Sequence, residues 1–190
     1  MTRDQLAAAI RDGIQQTNIE GPYNAVSCST GGDYPSIGCS QWEGSRANQL
    51  LSMIPDGDYY SGRAYSDIAG SGDDLRGLSL LLDSPAGRAA QDEMLLTDCL
   101  GYVDAIQQVP TMDQTRCAIY AGMWCPTSTS VVCRFLHNRY QRGFDLRSLE
   151  VMRDVFRSQY GSAAGGYDYG GRADSTYYFC AGLNPADYGE

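Results

Sequence analysis

The stretch from Ile19 to Gly44 reads IEGPYNAVSCSTGGDYPSIGCSQWEG, and it divides two kinds of sequence. Before it, Thr2-Arg3-Asp4-Gln5 has the form of a capping box, and Leu6, Ile10 and Ile14 recur four residues apart. This spacing predicts an amphipathic helix from about Arg3 to Asn18. Gly21-Pro22 ends it, because a residue preceding proline is pushed out of the α region. A single carboxylate, Glu20, therefore stands at or just past a helix C-terminus. After it, SCSTGGDYPS (Ser27 to Ser36) is rich in turn formers, and it is the one place where a short β-hairpin or an irregular loop is expected.

Working outward, the remaining signals are helical. Ser45 reads as the cap of a helix from Arg46 to Ile54, and Asp74 leads into Leu75 to Leu82. Ser84-Pro85 opens a long helix to Gln108 with Leu95, Cys99, Tyr102, Val103 and Ile106 on one face. Thr111-Met112-Asp113-Gln114 reads as a second capping box leading to Ala121. Thr127 or Ser128 starts a helix carrying Val131, Val132, Phe135 and Leu136, and Asp145 caps Leu146 to Tyr160. The expected fold class is mainly α, with one domain over residues 1–160. The Gly-rich run 161–171 reads as a loop, and the aromatic segment that completes 161–190 is expected to dock on the same domain.

A chain of 190 residues, 43% of them hydrophobic, is long enough to bury a core. Its net charge of −9 argues against nucleic acid as a bulk electrostatic partner. All 14 basic residues are Arg, and Arg134, Arg139, Arg142, Arg147, Arg153 and Arg157 fall in one stretch opposed by Asp145, Glu150 and Asp154. That stretch reads either as solvated helix faces or as a contact surface for an anionic polymer. Seven cysteines with no C-x-x-C and a single His, His137, give no zinc spacing, and no cofactor or metal is expected. Buried free thiols fit best, with Cys28–Cys39 and Cys117–Cys125 as the pairs near enough in sequence to bond outside a cell. Met1-Thr2-Arg3-Asp4 opens no secretory leader, and the longest apolar run, Leu78 to Leu82, is far too short to span a bilayer. The expectation is a protein made in a bacterial cytoplasm without a signal peptide and without membrane insertion.

A glycosidic bond breaks when an acid protonates the leaving oxygen while positive charge grows on the sugar ring. Such an acid needs apolar walls to stay protonated near neutral pH. Ile19, Pro22, Tyr23, Ile37 and Trp42 are suitable neighbours for Glu20. The pair of motifs Glu20-Gly21-Pro22-Tyr23-Asn24-Ala25-Val26 and Ser36-Ile37-Gly38-Cys39-Ser40-Gln41 resembles the lysozyme-like superfamily, especially goose-type lysozymes and soluble lytic transglycosylases. In those families a catalytic Glu in an E-S-x-[FY]-N context is followed about twenty residues later by a G-L-M-Q loop. The run Ser36 to Ala47, SIGCSQWEGSRA, is more similar still to peptidoglycan-hydrolase modules of phages and their bacterial hosts. Gly21 departs from the usual Ser, and Cys39-Ser40 from Leu-Met; the likeness covers residues 5 to 55.

The resemblance implies a lysozyme-like helical domain that cleaves the glycan between N-acetylmuramic acid and N-acetylglucosamine with Glu20 as general acid. Asp33 and Glu43 become candidates to orient water, since goose-type lysozymes place supporting carboxylates at the corresponding points. A carboxyl separation of about 6.5–9.5 Å from Glu20 marks an inverting hydrolase; without a second acid, the sugar's own 6-hydroxyl attacks, as in a lytic transglycosylase. Ser36 belongs to the second motif. Gly38 would let the backbone approach a sugar, Gln41 would bond its N-acetyl or hydroxyl groups, and Tyr23 and Trp42 would stack on it. The expected partner is peptidoglycan, for a phage or prophage lysin that is carried on the virion or released with the help of a holin. Two rivals remain: a wall peptidase with Cys39 as nucleophile, which needs His137 as its base, and a non-catalytic lysozyme-like structural module. The acidic surface is expected to be repelled by anionic wall polymers, giving a narrow host range or activity that improves with moderate salt.

Overall fold

The computed structural model describes residues 1–17, 19–160 and 169–189. The fold is mainly helical, with a short antiparallel hairpin after the first helix. The elements are α1 (Arg3–Thr17), β1 (Val26–Cys28), β2 (Pro35–Ile37), α2 (Gly44–Ser52), α3 (Tyr65–Ala69), α4 (Gly72–Asp83), α5 (Pro85–Ile106), α6 (Thr115–Gly122), α7 (Cys125–Gln141), α8 (Leu149–Tyr160) and α9 (Tyr169–Gly182). Short 3₁₀ turns span Gly57–Tyr60 and Pro185–Tyr188. The chain divides into two compact units, one of residues 1–19 and 96–190 and the other of residues 20–95.

The first unit is built around α6, whose residues Cys117 to Gly122 are all buried. The stripe Leu6, Ile10 and Ile14 of α1 packs there, as its periodicity predicts. Gly122 permits the close approach: a Cβ on it would lie 2.3 Å from Ile10 Cδ1. An aromatic group, Tyr120, Trp124, Phe135 and Phe156, fills the space toward α8, with ring centroids 4.7 to 5.5 Å apart. α9 packs on α8, α6 and α1, and Arg172 on it is buried with its guanidinium over the Trp124 ring.

The second unit joins the hairpin to α2, α3, α4 and the first half of α5. β1 and β2 pair in the register Val26↔Ile37, Ser27↔Ser36 and Cys28↔Pro35. β2 is buried throughout, and its neighbours are Leu50 and Leu51 of α2 in the same core. β1 lies beside α4, where Ser79 Oγ donates to Asn24 O at 3.0 Å. Among the described residues no helix is long and apolar enough to cross a membrane.

Several boundaries differ from the sequence expectation for local reasons. Thr111 adopts a left-handed conformation (φ 69°), so the four residues from Thr111 form a turn, and α6 starts after Gln114. Asp145 accepts from Arg147 N at 3.1 Å, and it is Ser148 that caps α8 through Val151 N at 3.3 Å. Ser71 caps α4, which begins at Gly72, ahead of Asp74, and α2 starts after Glu43. Ser128 is extended within α7 (φ −178°), which puts the regular part of that helix after it, as predicted. α3 and α9 had no clear signal; of the predicted loop 161–171, residues 161–168 lie outside the described residues and 169–171 begin α9. None of the seven cysteines is joined in a disulfide, including both pairs considered for bonding.

The α1–α6 contact has a direct test. Gly122→Ala gains helix propensity but forces Ile10 to move, and we expect a net loss of about 1–3 kcal/mol in chemical denaturation; a stability equal to or above wild type would contradict the packing.

Candidate functional site

Glu20 lies three residues past the last helical residue of α1, and its side chain is half-buried, with Oε1 out of contact with solvent. Gly21 follows with φ 146°, and its Cβ would sit 3.1 Å from Ala25 Cβ. Both facts give a local reason for Gly where the resembled motif has Ser. Pro22 to Ala25 then turn back, with Ala25 N donating to Pro22 O at 3.0 Å, and Gly38 N donates to Ala25 O at 2.8 Å. The Glu20 segment and the second motif are thus tied together by backbone.

The second motif is a tight turn closed at its base by Ile37 and Trp42, which exchange two backbone hydrogen bonds of 3.0 and 2.9 Å. Gly38 (φ 73°) and Gln41 (φ 51°) both take left-handed conformations, and Gln41 N donates to Gly38 O at 3.1 Å. The Gln41 amide holds the loop: Nε2 donates to Gly38 O at 3.0 Å, and Oε1 accepts from Ser27 Oγ at 2.8 Å. Ser36 Oγ donates to the Gln41 carbonyl at 3.1 Å. An amide has two N–H groups and two lone pairs on oxygen, so these two side-chain bonds use half of what Gln41 offers. A Cβ on Gly21 would lie 3.7 Å from Gln41 Nε2, which places Glu20's own backbone neighbour directly against that amide.

Three residues of α5 complete the arrangement. Gln91 is fully buried; its Oε1 accepts from Cys39 N at 2.9 Å, and its Nε2 donates to Leu82 O at 2.9 Å and Gly87 O at 3.2 Å. A Cβ on Gly38 would fall 2.4 Å from Gln91 Oε1, so protein fills the face of Gly38 that was expected to admit a sugar. Tyr23 donates its hydroxyl to Asp92 Oδ1 at 2.5 Å, and the Arg88 guanidinium sits 5.1 Å from its ring centroid. Burial, then the Asp92 hydrogen bond and charge, hold the Tyr23 phenol well above its usual range, so it is a donor at any physiological pH.

The other predicted residues are placed differently. Trp42 is only 6% exposed and packs with Cζ3 3.2 Å from the Gly38 Cβ position, as a core residue. Asp33 is exposed but engaged: Oδ1 accepts from Ser66 N at 2.8 Å and Oδ2 from Ser66 Oγ at 2.5 Å, at the start of α3. The Ser66 bonds hold its carboxyl below the ordinary value. Glu43 is exposed at the N-cap of α2 and makes no side-chain cap bond. A small recess of about 200 Å³ is bordered by Asp33, Gly44, Asn48 and Arg63. Among the described residues no group of three or more His, Cys, Asp or Glu is placed to hold a metal ion.

Compared with known proteins, the chain matches no family model, no curated protein and no solved structure. The chemistry must therefore be argued from this geometry. It offers a partly shielded carboxyl and, in Gln41, one amide with spare bonding capacity, while the Tyr23 hydroxyl spends its one proton on Asp92. Sequence reasoning missed Gln91, Asp92 and Arg88. Gln91 had a signal: it stands four residues before Leu95 on the apolar stripe that continues to Cys99, a polar side chain where the pattern calls for a hydrophobe.

Cys39 is buried, and burial followed by the Asp92 charge pushes its thiol up to about 12. We expect thiol reagents at pH 8 to modify the exposed Cys28 while sparing Cys39 until the chain unfolds, as peptide mapping would read. The folded protein keeps this proton where the unfolded chain releases it near its ordinary 9.0; stability accordingly falls as pH rises from 9 toward 12. Rapid labelling of Cys39 in the native protein would contradict the placement.

Proposed function

We propose that the chain is a peptidoglycan-cleaving glycosidase in which Glu20 is the general acid. It would protonate the oxygen between N-acetylmuramic acid and N-acetylglucosamine. The observation that carries this reading is the packing of the Glu20-Gly21 segment against the Gly38–Gln41 turn, two stretches far enough apart in sequence that only the fold could join them. A carboxyl with one oxygen shielded from solvent has part of the surroundings a catalytic acid requires. The remaining bonding capacity of Gln41 suits the N-acetyl group or hydroxyls of an amino sugar. On the sequence likeness we assign it to the phage or prophage lysins, acting on the wall after release from the cell or from the virion.

One observation favours the transglycosylase variant of the same chemistry. Asp33 is committed to Ser66 by both carboxylate oxygens, which leaves Glu43 as the freer of the two acids proposed to activate water. If neither serves, the substrate's 6-hydroxyl is the nucleophile and Glu20 acts first as acid, then as base. The cysteine-peptidase alternative is disfavoured by the neutral, buried Cys39 thiol, since attack requires a thiolate.

Mass spectrometry of fragments released from purified peptidoglycan tests the proposal. We expect Glu20→Gln to lower the rate by about 10²–10⁴-fold, with unchanged thermal unfolding. Fragments carrying added water identify the hydrolase, and 1,6-anhydro ends identify the transglycosylase. Release of the same fragments at the same rate by the variant, or no glycan cleavage by the wild type, would refute Glu20 as the acid.

A further inference from the structure

The six clustered arginines separate into two groups in the structure. Arg147 pairs with Asp113, Arg153 with Asp154 and Arg157 with Asp174. The other three, Arg134, Arg139 and Arg142, belong to α7 and the residue that follows it, within a run from Gln114 to Phe144 that contains no Asp or Glu. In a chain of net charge −9, that run is a local inversion of sign.

The regular part of α7 buries Val132 and Leu136 and turns Arg134, His137, Asn138, Gln141 and Arg142 to solvent. These positions recur at three- and four-residue intervals, so they form one row along the helix, with Arg134 and Arg142 about 12 Å apart. Neither Arg134 nor Arg142 forms an ion pair among the described residues. Arg139 lies over the Phe135 and Phe144 rings at 5.1 and 5.5 Å, which brings its guanidinium beside the row.

We infer that this face of α7 binds a linear polyol-phosphate polymer of the kind bacterial walls carry. The choice of a wall polymer rests on the glycosidase reading, whereas the face itself does not. Spaced guanidinium groups match spaced phosphates. The amides of Asn138 and Gln141 between them match polyol hydroxyls. Single-stranded nucleic acid is the poorer fit, because such sites stack successive bases on a run of aromatic faces, whereas this row is polar and the aromatics beside it are Tyr140 and Phe144, each about two-fifths exposed, with Arg139 over the Phe144 ring. A lipid surface is also the poorer fit, because the apolar stripe of α7 faces inward and the outer row is polar, with Tyr140 and Phe144 beside it only partly exposed. The face would give an otherwise acidic protein a foothold on an anionic wall, locally reversing the repulsion that its net charge imposes.

The test is titration of purified poly(glycerol phosphate) into the full chain carrying Glu20→Gln, so that cleavage plays no part. We expect measurable binding that weakens as salt rises. We expect R134Q/R142Q to lose about tenfold or more in affinity, R134K/R142K to retain most of it, and uncharged dextran not to bind. Both arginines are exposed, so thermal unfolding of either variant should match the parent. Equal affinity of R134Q/R142Q and parent would overturn the inference. Tighter binding of a DNA oligonucleotide of equal phosphate count, or binding to anionic vesicles without binding to poly(glycerol phosphate), would also overturn it. Because every arm uses Glu20→Gln, a failure here says nothing against Glu20, and a failure of Glu20 leaves these affinities unchanged.

Discussion

The second unit is organised around one buried amide. Gln91 has no solvent exposure, so each polar atom it carries must find a partner inside the protein or cost about 1–3 kcal/mol. It finds three, the N–H of Cys39 and the carbonyls of Leu82 and Gly87. Those bonds tie the turn after β2 to the end of α4 and the start of α5. Two glycines make room for them: Gly38, whose Cβ would strike Gln91 itself, and Gly87, whose Cβ would lie 2.3 Å from Leu81 O. With the turn fixed in this way, Gln41 can fold back on Gly38, and the Glu20 segment has a rigid surface to rest on.

The acidic residues around this frame divide by role. Asp33 fastens the hairpin loop to α3 through Ser66, and Asp92 receives the Tyr23 hydroxyl. Asp74 accepts from Arg63 at 2.7 Å. These carboxylates are occupied in holding structure, Asp33 at the surface and Asp74 and Asp92 in part-buried contacts. Glu20 differs in being shielded within a loop whose other polar groups are neutral. The opposite charge is gathered on α7, so the −9 of the whole chain is a poor guide to what any one surface meets.

Much of the fold was legible because helices announce themselves by period. The Leu6, Ile10, Ile14 stripe marked α1, and Leu95 to Ile106 marked the buried side of α5. The hairpin was legible from turn residues alone. α9 was hidden because Tyr169-Gly170-Gly171 is a poor helix opening by intrinsic propensity. Tertiary contacts hold it instead, notably the Tyr120 hydroxyl on Ala173 O at 3.1 Å and Arg172 against Trp124. Thr111 misled because a capping box and a left-handed turn use the same residue types. At the candidate site, the two motifs were readable and their juxtaposition followed. What each residue does was not: Trp42 and Gly38 serve packing, and Asp33 serves α3, because burial and partners are set by residues far away in sequence.

The central claim is that the Glu20 segment and the Gly38–Gln41 turn form one glycan-binding surface. The most direct measurement is the change in backbone amide NMR shifts when an alternating N-acetylglucosamine–N-acetylmuramic acid tetrasaccharide is added to the Glu20→Gln chain. The account predicts that the shifts concentrate at Gly21 to Ala25 and Gly38 to Gln41. Shifts confined to another surface, such as the cavity of about 530 Å³ lined by Asp113, Arg116, Arg147 and Tyr177, would contradict it, as would no shift at all.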